Sequence, residues 1–241
     1  MTVALSVENA GFRYRDKWAL RNVSLTVEGG TFCALLGPNG AGKSTLFSLL
    51  THLNRPREGA IYVQGCDLDS KPLAVLARLG VVFQQPTLDL ETTVQNNLTY
   101  FAGLHGFHGA DARKRIGLAL ERMDMQERAH EKVRDLNGGH RRRMELARAL
   151  IHDPDVLLLD EPTVGLDHQA RRDITDYAHQ LAKDGKAVLW ATHLVDEILD
   201  DDQVVILHQG RVLANGLSKA MADTKSLADF FLELTARQGG E

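Results

Sequence analysis

Eight consecutive residues carry the clearest chemistry in this chain: Gly37-Pro38-Asn39-Gly40-Ala41-Gly42-Lys43-Ser44, followed by Thr45 and preceded by the apolar run Thr31 to Leu36. Glycines at 37, 40 and 42 let a loop turn its backbone N–H groups inward onto phosphate oxygens, because side chains there would block the approach and positive φ angles would cost energy. A helix predicted from Lys43 to about His52 points its N-terminus at the same anion and adds roughly half a positive charge. The Lys43 ammonium can neutralise outer phosphates, and the Ser44 hydroxyl is a hard oxygen ligand suited to Mg²⁺. A Gly-rich strand-to-helix turn is common, but the strand before and the helix after are the context that a phosphate loop requires.

Two carboxylates end a second apolar run, Val156-Leu157-Leu158-Leu159-Asp160-Glu161, which reads as a strand buried on both faces. At the carboxyl end of that strand Asp160 is placed to hold Mg²⁺ through water. Glu161, one residue on, points elsewhere and is the candidate to accept a proton from an attacking water, a role worth typically 10²- to 10⁴-fold. An acidic helix cap is the competing reading, and Pro162-Thr163 makes it strained. A third apolar run, Ala187 to Thr192, ends in His193. A lone histidine is more often structural, yet at the carboxyl end of a parallel strand it faces the crevice where such sheets bind ligands.

Other candidates need more context. Val81-Val82-Phe83 reads as a strand entering Gln84, stopped by Gln85-Pro86 because Pro86 lacks a donor and restricts its predecessor. Tyr14 lies in a predicted loop between two strands, among Arg13, Arg15, Asp16 and Lys17, where an exposed ring can stack on a base. Leu136-Asn137-Gly138-Gly139-His140 opens a helix with Met144, Leu146, Ala147, Leu150 and Ile151 on one buried face, a second helix N-terminus able to accept an anion. The arginines 141–143 in it are expected on a solvated or interdomain face. His105 and His108 have metal-like spacing but no acidic or cysteine partner nearby, so a solvated loop is expected there.

The elements that must position these groups follow from periodicity. Val3 to Glu8 and Asn22 to Glu28 alternate apolar with polar, as half-buried antiparallel strands do, and Gly59 to Gln64 reads as a further short strand. A brief helix is expected over Ala74 to Arg78. Thr92 to Gly103 and Ala110 to Met123 read as helices within an insertion, about 85–153, with its own small core. A helix follows over His168 to about Asp184. Gln203 to Ala214 reads as a hairpin across Gln209-Gly210, and Ser218 to Ala236 as peripheral helix, a C-terminal region of about 203–236. The expected fold class is α/β: a phosphate-loop NTPase core with a parallel sheet, an N-terminal antiparallel β subdomain and a helical insertion, all within one domain spanning 1–241.

Composition bounds the function. The net charge is -4 and the charges are scattered, which gives no electrostatic case for nucleic acid. Cys33 and Cys66 form no CxxC pair and read as reduced thiols of a cytosolic protein. Met1 to Glu8 has no basic segment leading into a long apolar one, so no signal peptide is expected. No apolar run approaches the ~20 residues of a membrane helix, so the chain is not expected to cross a bilayer alone.

The ordered set of Tyr14, the 37–44 loop, Gln84, Leu136 to His140, Asp160-Glu161, Gly165-Leu166-Asp167 and His193 resembles the nucleotide-binding subunit of ATP-binding cassette (ABC) transporters. The likeness runs from Val3 to at least Gly216. It implies ATP and Mg²⁺ as cofactors and two cassettes facing head to tail, by expectation a homodimer, with two ATP molecules between them. It implies adenine on Tyr14, Mg²⁺ on Ser44, Asp160 and Gln84, water polarised by Glu161, γ-phosphate contacts from Lys43 and His193, and Asp167 at the dimer interface. It further implies that Asn137, Gly138, Gly139 and His140 cap the opposite subunit's ATP, and that integral membrane subunits contact the Gln84 region and helical subdomain on the inner face of the cell membrane. The motifs look most like single-cassette subunits of exporters, of the drug-export type or the group associated with pyrroloquinoline-quinone-dependent alcohol oxidation. One departure stands out: the signature usually reads Leu-Ser-Gly-Gly-Gln, whereas this chain has Asn137 and His140. A degenerate, nucleotide-binding regulatory cassette is therefore an alternative. A soluble cassette ATPase acting on DNA or ribosomes is another, though those carry long coiled coils between loop and signature, or two cassettes per chain.

Overall fold

The computed structural model describes residues 2–222 and 226–237. In chain order the elements are β1 (Val3–Tyr14), β2 (Lys17–Glu28), β3 (Phe32–Leu36), α1 (Lys43–Leu50), β4 (Glu58–Val63), β5 (Cys66–Asp67), α2 (Pro72–Leu76) and β6 (Leu79–Val82). They continue with α3 (Val94–Leu104), α4 (Gly109–Arg122), α5 (Gly138–Leu150), β7 (Val156–Asp160), α6 (His168–Lys183), β8 (Ala187–Thr192), β9 (Gln203–His208), β10 (Arg211–Leu217), α7 (Ser218–Ala222) and α8 (Leu227–Arg237). Part of the helix expected over Ser218 to Ala236 lies outside the described residues, between α7 and α8.

β3, β7 and β8 are buried at every position, as strands covered on both faces must be. They form the centre of a six-stranded sheet of order β10-β9-β3-β8-β7-β6. Its strands run parallel except for β10, which returns antiparallel at one edge. β2, whose apolar residues alternate, belongs instead to an antiparallel sheet of order β2-β1-β4-β5.

The two-residue period of a strand sends successive side chains to opposite faces, and this divides the interior in two. Ala34, Leu36, Leu157, Leu159, Val188, Trp190, Val204 and Ile206 join one cluster with the helices α3 to α6. Cys33, Leu35, Val156, Leu158, Leu189, Val205 and Leu207 join another with α1 and the antiparallel sheet. The insertion therefore has no core of its own: Val94, Leu98 and Ile116 belong to the same cluster as the sheet residues. α5 is the bridge, because it carries buried residues on so much of its circumference. A second difference concerns Tyr14, which ends the long strand β1 rather than sitting in a free loop.

Candidate active site

Register decides what meets what. Leu36 pairs with Thr192 and with Ile206, Asp160 with Ala191, and Val82 with Leu159, so the carboxyl ends of β3, β6, β7, β8 and β9 come out on one edge. Ligands of open α/β sheets bind at such an edge. An open cleft of ≈ 1500 Å³ lies there, lined by Pro38 to Thr45 with Tyr14, Gln84, Glu161 and His193.

The loop after β3 is held by contacts that exclude side chains. A Cβ on Gly37 would lie 2.4 Å from the Leu207 carbonyl oxygen, and one on Gly42 would lie 2.9 Å from Leu20 Cδ2. Gly42 also sits at φ 111, a region that L residues rarely adopt. It is the N-cap of α1 and brings no side-chain hydrogen bond, so the first N–H groups of that helix are not consumed by a cap. Lys43 is 5 % exposed, and its ammonium donates to the carbonyl of Gly37 at 2.6 Å and of Pro38 at 3.3 Å.

Glu161 is the hub. One oxygen lies 3.2 Å from Lys43 Nζ and 3.6 Å from His193 Nδ1, and the other accepts from Gln84 Nε2 at 3.2 Å. Three sequence-distant candidates, Lys43, Gln84 and His193, thus converge on one carboxylate. The backbone there is strained: Glu161 has φ 46 while its N–H is tied to the Ala191 carbonyl at 3.0 Å. Non-glycine residues at positive φ cost of order 1–3 kcal/mol and cluster where surrounding structure over-determines them for function.

Asp160 turns the other way and is buried. Burial first, and the Glu161 carboxylate second, push its pKa up to about 6, against the opposing pull of the Ser44 hydroxyl, Lys43 and Arg142. Its Oδ1 is buried with no hydrogen-bond partner. Asp160 and Ser44 together offer hard oxygen donors to a divalent cation. Among the described residues no cluster of three or more His, Cys, Asp or Glu side chains is arranged to hold a metal unaided, so such an ion would need phosphate oxygens or water as further ligands.

Tyr14 is 53 % exposed, edge-on to Phe12 at 4.9 Å, with its ring on the cleft. The opposite wall was not legible as site residues: it is the β9–β10 turn, with His208, Gln209, Gly210 and Arg211. Gly210 N–H donates to Ala41 O at 2.8 Å, and its carbonyl accepts from Arg21 N–H at 2.8 Å. Gln209-Gly210 was visible as a hairpin turn, but only packing puts that turn against the phosphate loop.

Asn137, Gly138, Gly139, His140 and Asp167 do not line this cleft. They group elsewhere: a Cβ on Gly138 would be 3.7 Å from Leu166, and one on Gly139 would be 3.3 Å from Ala170. Asn137 caps α5, its side-chain oxygen accepting from His140 N–H at 2.9 Å, and Asp167 caps α6, accepting from Ala170 N–H at 2.8 Å. Burial and the charges of Arg128 and Arg143 hold the His140 pKa below its ordinary value.

The arginines of α5 are not a solvated face. Arg142 is 6 % exposed and donates to the carbonyls of Phe83 and Gln84, at 2.8 and 3.2 Å, and to Glu145 at 2.8 Å. Glu145 accepts from Thr87 N–H at 3.1 Å, and Arg148 donates to the Thr87 hydroxyl at 2.7 Å. The i, i+3 and i+6 positions of one helix thereby grip the backbone that carries Gln84, a tertiary role that amphipathic patterning does not reveal. The His105 to His108 loop is likewise not simply solvated, since the His105 ring stacks on His152 at 3.9 Å.

Comparison with known proteins agrees with this geometry. The family model described as "ABC transporter" matches residues 20–164. The daunorubicin resistance ATP-binding protein DrrA3 of Streptomyces coeruleorubidus is 41 % identical over 214 residues, covering 88 % of this chain and 68 % of that protein. The solved structure of an ATP-binding subunit of an ABC transporter superimposes with TM-score 0.86 at 28 % identity, over 97 % of this chain and 100 % of the other. A dimeric ATP-binding cassette in a post-hydrolysis state with ADP and Pi superimposes with TM-score 0.77 at 27 % identity, over 88 % of this chain and 98 % of the other. With its loop, its paired carboxylates and its strand-end histidine on one sheet edge, this chain belongs to the ABC transporter family as an ATP-binding, ATP-hydrolysing cassette.

Proposed function

We propose that this cassette powers export by a transporter whose membrane subunits are separate chains, working as a head-to-tail homodimer that encloses two ATP molecules. The observation that carries the reading is the convergence of Lys43, Gln84 and His193 on the strained Glu161, beside a helix N-terminus whose donors are unspent. Gly37 to Thr45 cradle the phosphates, with the Lys43 ammonium free to exchange the Gly37 carbonyl and Glu161 for phosphate oxygens. Tyr14 stacks on the adenine. Glu161 orients the attacking water and takes its proton, and His193 donates to the γ-phosphate as charge builds there. Ser44, Asp160 and the Gln84 side-chain oxygen fit Mg²⁺, the orphaned Asp160 Oδ1 being the acceptor that lacks any partner within the protein. The ion, when bound, would neutralise charge on the phosphate oxygens.

The domain is one cassette over 1–241 with a helical subdomain of about 85–153, and the second half of each ATP site comes from Asn137, Gly138, Gly139, His140 and Asp167 of the other copy. The exposure of Asn137, Gly138 and Asp167, with Gly139 and His140 half-buried beside them, apart from the cleft, supports that reading. The unusual Asn137 favours a working site over a degenerate one, because it still caps the helix and leaves its amide N–H₂ to donate. The membrane subunits are proposed to dock on the Gln84 region and the helical subdomain, on the inner face of the cell membrane. No helix among the described residues is long and apolar enough to cross a membrane.

Glu161→Gln tests the core of the proposal. With the membrane partner present, turnover should fall by at least about 10²-fold while ATP binding persists and ATP-dependent dimers accumulate on size exclusion. A variant that binds ATP yet stays monomeric, or one that turns over at the wild-type rate, would overturn it.

A further inference from the structure

Glu197 is a buried carboxylate in the turn after β8, four positions beyond His193 and 3 % exposed. Burying a carboxylate is costly unless its oxygens are well satisfied, and a cation is the usual means. Here the donors are neutral: Trp190 Nε1 at 3.0 Å, the Thr192 hydroxyl at 2.6 Å and the Thr163 hydroxyl. No ion pair to Glu197 is found among the described residues. Three hydrogen bonds that converge on one buried side chain make a stiff node.

What the node joins is specific. Thr163 lies two residues after Glu161, and Thr192 immediately precedes His193. The Thr192 hydroxyl also accepts from Leu194 N–H at 2.9 Å, and its carbonyl accepts from Gly37 N–H at 3.2 Å. One side chain therefore ties together the turn that bears Glu161, the turn that bears His193 and, through Thr192, the start of the phosphate loop. Glu161 and His193 stand 3.6 Å apart at the end of those turns.

We propose that Glu197 is a positioning residue for hydrolysis, fixing the Glu161 and His193 turns relative to one another so that both address the same γ-phosphate. This rests on the roles proposed above for Glu161 and His193. Displacement of a reacting group by about 1 Å can cost about 10²-fold in rate, while binding energy drawn from phosphate-loop and base contacts is left in place. Glu197→Gln keeps the shape and one acceptor oxygen but turns the other into an N–H₂ donor, so the Thr163 or Thr192 hydroxyl can no longer donate to it and the bond there must reverse or be lost. Thr163→Val removes the bond at the Glu161 turn alone, and Thr163→Ser restores it.

The test measures kcat, KM for ATP and the melting temperature of the cassette with its membrane partner. Glu197→Gln and Thr163→Val should each lower kcat by about 10- to 100-fold with KM within about threefold. The double variant should be no slower than the slower single one, and Thr163→Ser should recover most of the wild-type rate. Should Glu197→Gln fail to fold, Thr163→Val against Thr163→Ser decides the matter. Wild-type kcat in Thr163→Val, additive losses in the double variant, or losses confined to KM or melting temperature would overturn the proposal. Glu161→Gln run alongside separates the two claims: full turnover there sinks the Glu161 role, whereas its loss beside unchanged kcat in the Thr163 and Glu197 variants sinks only the positioning role.

Discussion

Two helices in this molecule begin at glycine-rich turns, α1 at Gly42 and α5 at Asn137-Gly138-Gly139, and their N-termini are in opposite states. α1 begins at Gly42 with no side-chain cap, pinned between Leu20, Ala19 and the β9–β10 turn, and its first residue Lys43 is nearly fully buried. α5 begins at Asn137, which is exposed and spends its side-chain oxygen on His140 N–H. A helix leaves its first four N–H groups without intrahelical partners. At α1 those groups are kept for a ligand by a rigid, crowded surround. At α5 one is already satisfied by the Asn137 side chain, and the end lies outside the cleft that holds the phosphate loop. The crowding is concentrated at the helix end that lines the cleft; on the head-to-tail reading proposed above, that is the half of the site a single chain can complete.

The largest effect should come from breaking the crowded side. Gly42→Ala puts a Cβ 2.9 Å from Leu20 Cδ2 and 3.0 Å from the Ala19 carbonyl at φ 111, so the loop must move. Equilibrium binding of fluorescent ATP should be weakened by at least about 10²-fold, because strain at incompatible positive φ adds to the loss of the cradle. Retained affinity would show that the cradle tolerates slack and that the contrast with α5 is one of appearance.

Next is Tyr14→Ala, which removes an exposed platform from the same cleft. Stacking uses the π-face common to all bases, so ATP and GTP affinity should fall together by about 1–3 kcal/mol in titration calorimetry. A loss for one nucleotide alone would mean that the position reads base edges.

A smaller change is expected on the outward side. Asn137→Ala removes the cap and should destabilise the fold by about 1 kcal/mol in urea unfolding, whereas Asn137→Ser, an equally good cap, should not. ATP affinity of the monomer should be the same in both, since Asn137 does not line the cleft. Altered monomer affinity would erase the distinction between the halves. Turnover of the assembled transporter is the sharper reading: Ser at or above the wild-type rate, and Ala well below it, would assign a donor role to the position.

The smallest effect belongs to His140→Gln. The folded chain holds this imidazole below the ordinary 6.5, so it is neutral at pH 7 to 8 and the variant should match wild-type turnover there. The unfolded chain takes the proton first as pH falls, so the histidine costs stability relative to glutamine only below about 6.5 and never above it. Thermal melts from pH 5 to 8 check the sign, and a gap that opens on the alkaline side would refute it.

Local chemistry explains what sequence determined by itself. Glycines at 37, 40 and 42 beside Lys43 and Ser44, and apolar runs ending in Asp160-Glu161 and His193, were all readable, because each depends on backbone freedom or strand burial within a few residues; the departure at Asn137 and His140 shows only against the signature of the family the chain resembles. The parallel core, the antiparallel entry and the helical insertion followed from periodicity in the same way. Only tertiary structure decided the rest. Arg142, which pattern alone leaves on a solvated or interdomain face, and Arg148 are buried because the Phe83 to Thr87 backbone needs donors that arrive from some sixty positions away in the chain. The Gln209-Gly210 turn becomes a wall of the cleft because β9 pairs with β3. Glu197 finds Trp190, Thr192 and Thr163 because register sets β7 beside β8. Hydrogen bonds between distant segments leave no periodic trace along the chain: a donor or acceptor looks the same in sequence whether its partner is water or a buried carboxylate.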